Sequence, residues 1–148
     1  MTGRLPFFVY GTLLPGEHRH DTFLGGRTTD ERAAVLEGAL LYEGPGYPYA
    51  VEGEGTVRGA LVTAAPDAYA ELLVLLDRLE GYRGPGDLGN LYDRVAREVR
   101  PAGQAGRPVL AWVYVAPADL ARTLRAGGAP VPEGDWLTRR PRPVPRTP

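Results

Sequence analysis

Glu80 sits where a carboxylate needs an explanation. It closes a segment, Pro66 to Glu80, in which Tyr69, Leu72, Leu73, Leu76 and Leu79 recur on one helical face, with Glu71 and Arg78 opposite. At 3.6 residues per turn, Glu80 falls within roughly 20° of Tyr69, near the middle of the apolar face. Burial and the negative end of the helix both oppose ionisation there. Two readings follow. Either the helix frays one residue early and Glu80 turns to solvent, since helix ends vary by a residue or two, or Glu80 is a general base with a raised pKa, lining a pocket at the helix end.

Three further groups of residues could take part in chemistry. The first is Phe7-Phe8-Val9-Tyr10-Gly11-Thr12-Leu13, a strand-like run stopped by Gly11, whose end offers backbone N–H groups beside a hydroxyl and a phenol. Such a set can hold a carboxylate, although an ordinary strand and loop would read the same way. The second is Tyr92 and Arg94, which alternation places on one side of a strand, where Arg94 pairs with Glu80, with a substrate carboxylate, or with solvent. The third is His18 and His20, one residue apart in a polar stretch. No third ligand follows at suitable spacing, so solvated or substrate-gating histidines are expected and a metal is not.

The elements that must position these groups alternate short apolar segments with Gly and Pro, without internal repeats. Residues 15 to 32 read as loop with Phe23-Leu24 as its apolar anchor. Residues 33 to 42 form an apolar segment, and Tyr47 to Val51 suits an edge or pocket-lining strand because it carries Pro48. Residues 52 to 55 read as a turn and Val57 to Thr63 as the next strand. Pro66 and Asp67 suit a helix start, and Gly81 suits its stop. The Gly-rich stretch from Tyr82 to Asn90 is loop, and residues 83 to 91 would suit a lid. Tyr92 to Val99 alternates as a strand. Val109 to Val115, rich in β-branched and aromatic residues, is the strongest strand and is expected to lie centrally. A shorter helix opens at Ala116-Pro117-Ala118-Asp119, carries Leu120 and Leu124, and closes at Gly127-Gly128. Pro132 to Trp136 reads as a turn.

Composition removes several classes of function. The 148 residues suit a single domain, here 1–137, followed by an Arg/Pro-rich tail over 138–148. With no Cys, the chain has no disulfide, thiolate metal site or cysteine nucleophile. All 17 basic residues are Arg, so Schiff-base chemistry and a phosphate-loop lysine are excluded. A net charge of −1 argues against bulk binding to nucleic acid or anionic membrane. Met1 to Leu5 lack the apolar core of a signal peptide and no stretch reaches spanning length, so a cytoplasmic protein is expected.

Taken together, Phe8-Val9-Tyr10-Gly11-Thr12-Leu13, Gly46-Tyr47-Pro48, Val57-Arg58-Gly59-Ala60-Leu61, Leu76-Asp77-Arg78-Leu79-Glu80-Gly81-Tyr82 and Tyr92-Asp93-Arg94 resemble the γ-glutamylcyclotransferase-like superfamily. Glu133-Gly134-Asp135-Trp136 resembles the family's end. The resemblance implies an α+β fold, a small twisted mixed β-barrel flanked by helices. It also implies that Glu80 is catalytic and that Tyr10, Gly11, Thr12 and Leu13 hold a glutamyl group largely through backbone contacts. Thr12 stands where the family more often has Ser.

The resemblance therefore carries an expected reaction. The α-amine of a γ-glutamyl amide attacks its own side-chain carbonyl, closing 5-oxoproline and freeing an amine, with Glu80 moving the protons. Gly11 to Leu13 would bind the α-carboxylate or the developing oxyanion, and Tyr10, Tyr47, Tyr92 and Arg94 would shape the pocket. No cofactor is expected. The partner is a small γ-glutamyl substrate, and the protein a monomer or homodimer. Two alternatives stand beside it: γ-glutamyl deprotection of a specialised metabolite, and a non-catalytic protein of the same fold that binds a small acidic metabolite.

Overall fold

A computed structural model describes residues 4–17, 19–45, 47–102 and 107–139. His18, Gly46 and the tail from residue 140 onward lie outside the described residues. Five strands, β1 (Phe7–Val9), β2 (Thr28–Glu43), β3 (Pro48–Ala64), β4 (Asp93–Pro101) and β5 (Val109–Val115), close into a barrel in the order β1-β3-β2-β4-β5. Neighbours are antiparallel except at the closure, where Phe7 and Phe8 of β1 lie parallel to Trp112 and Val113 of β5. The α+β class and the small mixed barrel expected from the sequence are the architecture of the chain.

β1 needs only three residues because each of them is buried. Phe7 packs on the ring of Tyr69 and Phe8 on that of Tyr10, and both belong to one core with Leu41, Val57, Val62, Val99 and Val113, all almost wholly removed from solvent. Burial of this kind stabilises by about 1.5–3 kcal/mol per large side chain.

The β2–β3 hairpin differs from the sequence reading in two places. Residues 28 to 32, read as loop, already pair with β3, Glu31 opposite Val62 and Arg32 opposite Leu61. Their polar side chains conceal a ladder made by the backbone, which has no need of an apolar face. Residues 52 to 55, read as a turn, lie within β3. The register steps from Glu37 opposite Thr56 to Ala39 opposite Glu52, so residues 53 to 55 bulge against Gly38 alone. A Cβ at Gly53 or Gly55 would come within 2.8 or 2.5 Å of the Leu40 side chain, so the glycines make room for Leu40 and are no sign of a chain reversal.

A 3₁₀ turn at Pro66–Ala68 leads into α1 (Tyr69–Glu80), whose Tyr69, Leu72 and Leu76 are buried. The Tyr69 hydroxyl donates to the Leu5 carbonyl at 3.0 Å and accepts from the Trp112 indole N–H at 3.0 Å, pinning the helix start to the barrel wall. After β5 comes α2 (Ala118–Gly127), then a 3₁₀ turn at Pro132–Gly134 and the short α3 (Trp136–Arg139). That last helix ends two residues beyond the boundary drawn at 137. Phe23-Leu24, read as a loop anchor, belongs to a single π-helical turn over His20–Leu24, with Leu24 fully buried.

Candidate active site

Near the end of α1, the loop that follows β1 meets Pro48 at the start of β3. The helix stops at Gly81, in the left-handed conformation with φ 70°, where the Gly81 N–H reaches the Arg78 carbonyl at 3.2 Å and the Tyr82 N–H reaches Asp77 at 2.8 Å. These are the paired bonds of a Schellman cap, which satisfies the last carbonyls and holds the final turn. Glu80 is therefore a helical residue to its last atom of backbone, and it lines a cavity of about 250 Å³.

The opposite wall is the loop after β1. Tyr10, Gly11, Thr12 and Leu13 all line the cavity, together with Tyr47, Pro48, Tyr49, Tyr92 and Tyr114. Gly11 is required by close approach, since a Cβ there would stand 2.8 Å from the Pro48 ring. Among the described residues, no acceptor takes the N–H of Gly11, Thr12 or Leu13, whereas the Gly11 carbonyl is used by Leu14 at 3.0 Å. Three donors of this loop are thus left without a partner among the described residues. Such a row of N–H groups suits a carboxylate or an oxyanion.

Burial pushes the Glu80 carboxyl up to about 7, against the opposing positive charge of Arg19. A carboxyl half-ionised near neutral pH can both take and give a proton. The surrounding phenols play another part. Tyr10 donates to the Tyr114 carbonyl at 2.5 Å and accepts from the Ala50 N–H at 3.2 Å, and Tyr92 donates to the Pro48 carbonyl at 2.7 Å. Burial, reinforced by the charge of Glu80, holds both far above the usual phenol range, so their protons stay in these bonds. Tyr49 stacks on Tyr92 with centroids 4.7 Å apart, and Tyr47 meets Tyr49 edge-on at 5.8 Å. Burial, with the adjacent Tyr47, pushes Tyr49 up to about 12. The result is an aromatic wall of three rings.

Arg94 is the one expected site residue that does not line the cavity. Its guanidinium grips Asp77, Nε to Oδ1 at 2.9 Å and Nη2 to Oδ2 at 3.3 Å, and lies between the rings of Tyr82 and Trp112. Tyr92 precedes the first paired residue of β4, so strand alternation does not carry from 92 to 94, and the two side chains take different surroundings. The Tyr114 hydroxyl adds a 2.6 Å bond to the same Asp77 oxygen.

The 83–91 loop is tied to its own base. Asn90, only 7% exposed, accepts from the Arg83 N–H at 2.6 Å and donates to the Gly84 carbonyl and to Asp93, both at 2.9 Å. Leu91 bonds back to the Gly81 carbonyl at 3.0 Å and lines the cavity. His20, one of the two histidines, is held between Glu31 at 2.8 Å and Asp21 at 3.1 Å.

Sequence reasoning passed over Arg19, Tyr49 as a site residue, and Tyr114. Tyr49 carried a signal, since it stands in the aromatic Tyr47 to Val51 run already read as pocket-lining. Arg19 carried none, being a charged residue in a polar stretch.

Among the described residues, Glu80 is the carboxylate that lines this cavity, together with the loop of Tyr10 to Leu13, beside a closed barrel. The chain belongs to the gamma-glutamyl cyclotransferase, AIG2-like family, whose model matches residues 7–138. It is 37% identical over 108 residues to the gamma-L-glutamyl-butirosin B gamma-glutamyl cyclotransferase of Niallia circulans, a match covering 73% of this chain and 64% of that protein's length. The chain thus spans a little under two-thirds of the curated relative. Among solved structures, an uncharacterized protein from Pyrococcus horikoshii superposes with a TM-score of 0.61 at 23% identity, covering 90% of this chain and 91% of the other. An AIG2-like protein from Mus musculus does so with 0.59 at 24% identity, covering 76% of each. These two likenesses concern the fold.

Proposed function

We propose that this protein is a γ-glutamyl cyclotransferase, converting a γ-glutamyl amine or γ-glutamyl amino acid to 5-oxoproline and a free amine, with Glu80 as general acid and base. One observation carries the reading: Glu80, with its carboxyl raised to about 7, shares a cavity with the unengaged N–H groups of Gly11, Thr12 and Leu13.

The chemistry needs no outside nucleophile. Glu80 takes a proton from the α-ammonium, and the freed amine attacks the side-chain carbonyl carbon. The protonated Glu80 then supplies the departing nitrogen as its bond to that carbon breaks. Overall, two protons pass from the α-nitrogen to the leaving amine, and Glu80 returns to its starting ionisation. Holding the substrate folded can supply about 7–11 kcal/mol of the barrier. The donors at Gly11 to Leu13 bind the α-carboxylate or the oxyanion, while Tyr10, Tyr47 and Tyr92 shape the walls. This route requires no metal or organic cofactor. The reading includes a cytoplasmic setting without nucleic-acid or membrane partners.

The likeness to an enzyme named for γ-L-glutamyl-butirosin B supports a second reading, the same reaction used to deprotect a specialised metabolite. Release of 5-oxoproline by wild type and Glu80→Gln decides. The panel is γ-glutamyl amino acids, γ-glutamyl-ε-lysine, a γ-glutamyl polyamine, glutathione and a γ-glutamyl aminoglycoside. Turnover that disappears in the variant is expected. Silence across the panel, with unchanged ligand binding in Glu80→Gln, would leave a binding protein.

A further inference from the structure

Among the described residues, Arg19 is the one cation lining the cavity, and the cyclotransferase chemistry does not use it. Among the described residues its guanidinium has neither a hydrogen bond nor an ion pair. The loop around it, by contrast, carries backbone hydrogen bonds. The loop from Gly11 onward is a chain of tight turns, Leu14 to Gly11 at 3.0 Å, Glu17 to Leu14 at 2.9 Å and His20 to Glu17 at 3.1 Å. The next residue, His20, is clamped by Glu31 from β2 and by Asp21. The side chain is partly buried, so its charge acts through protein as well as water, and Glu80 registers it. A planar, forked cation at a pocket wall, free of any hydrogen bond or ion pair among the described residues, is suited to a carboxylate.

With the donors of Gly11 to Leu13 given to the substrate's own α-carboxylate, one of the two roles open to them, that group is already bound. A second carboxylate is the group left for Arg19. We infer that Arg19 is a specificity residue which binds the carboxylate of the leaving group, so that the preferred substrates are γ-glutamyl amino acids or peptides in place of γ-glutamyl amines. This rests on the cyclotransferase reading of the same site. The charges match: a dianionic substrate with one ammonium meets backbone donors, Arg19 and Glu80. The rings of Tyr47, Tyr49 and Tyr92 cover the apolar part of the leaving residue. A polyamine would instead bring its free ammonium toward Arg19, and like charges repel.

Two substrates isolate the effect. γ-Glutamyl-alanine and γ-glutamyl-ethylamine differ only by the carboxylate beside the amide nitrogen. Wild type should favour the first in kcat/KM by on the order of ten- to a hundredfold, the worth of a charge-assisted hydrogen bond or two. The preference should reside in KM, because that carboxylate does not change during the reaction. In Arg19→Gln the ratio should fall toward one, and in Arg19→Lys it should recover in part. A ratio that survives in Arg19→Gln, or a wild type that prefers ethylamine or putrescine as leaving group, overturns the assignment.

Binding separates this inference from the reaction itself. Calorimetry on Glu80→Gln and on Glu80→Gln with Arg19→Gln measures affinity for both compounds without turnover. If wild type releases no 5-oxoproline yet the alanine conjugate binds tighter only when Arg19 is present, the reaction falls and the carboxylate subsite stands. Equal affinities, or no binding of either compound, overturn the subsite.

Discussion

Arg94 holds Asp77 through two nitrogens, at 2.9 and 3.3 Å, and so ties β4 to the turn of α1 that carries Glu80. Asp77 stands one helical turn before Glu80, and Tyr114 of β5 bonds to the same carboxylate at 2.6 Å. Two strands of the barrel wall thus converge on the helix end. The pair is mostly buried, with side chains 15% and 21% exposed. Replacing Arg94 with Ala strands the Asp77 charge and should cost about 3–5 kcal/mol. Arg94→Lys, which keeps charge but loses the fork and the ring stacking, should cost about 1–2 kcal/mol. Urea denaturation measures both. A role in positioning Glu80 adds a lower kcat for Arg94→Lys with KM little changed, which lost stability alone would not produce.

Burial of Glu80 makes stability depend on pH. Its folded-state pKa, about 7, lies above the ordinary 4.5, so between these values the native state binds more protons than the unfolded chain. Stability from this group is full below pH 4.5, declines as pH rises, and levels off above 7. The shift corresponds to about 3 kcal/mol as an upper figure. Glu80→Gln, which removes the ionisation and keeps the shape, should be more stable than wild type at pH 8 and should lack this decline. Unfolding midpoints from pH 4 to 8 test it, and parallel curves for the two proteins would count against an inward Glu80.

Activity should run the other way. A base must be ionised to take the first proton, so kcat/KM should rise with pH through an apparent pKa near 7. Arg19 opposes the upward shift of Glu80, so Arg19→Gln should move this limb to higher pH. Initial rates of 5-oxoproline release across pH 5 to 9 give both values.

Gly11→Ala probes the cradle. The new Cβ would meet the Pro48 ring at 2.8 Å, forcing the loop or the start of β3 to shift. We expect a stability loss of about 1–3 kcal/mol and a larger fall in kcat/KM, since displaced donors lose their aim. Comparing thermal midpoints with kinetics separates the two effects.

Much of the site was legible because its causes are local. The period of Tyr69, Leu72 and Leu76 and the stop at Gly81 placed α1 and left Glu80 either inward or turned to solvent, while the cap at Gly81 keeps it in the helix. The apolar run before Tyr10 and the glycine after it marked the strand end that faces Glu80. The two errors in the hairpin had local causes as well. Polar residues at 28 to 32 and glycines at 53 and 55 look like loop, but backbone pairing and room for Leu40 decided otherwise.

By itself the sequence determined the elements with periodic or punctuated signals, among them the helix that ends at Glu80 and the strand that ends before Tyr10. Only the tertiary structure decided the partners of the charged groups. Arg94 could be placed on a strand but not given to Asp77, and Arg19 had no signal at all until closure of the barrel brought its loop to the end of α1. The reason is physical: a helix face and a cap are set by neighbours within a few positions, whereas an ion pair or a lining residue is set by whichever distant strands the closed sheet places side by side.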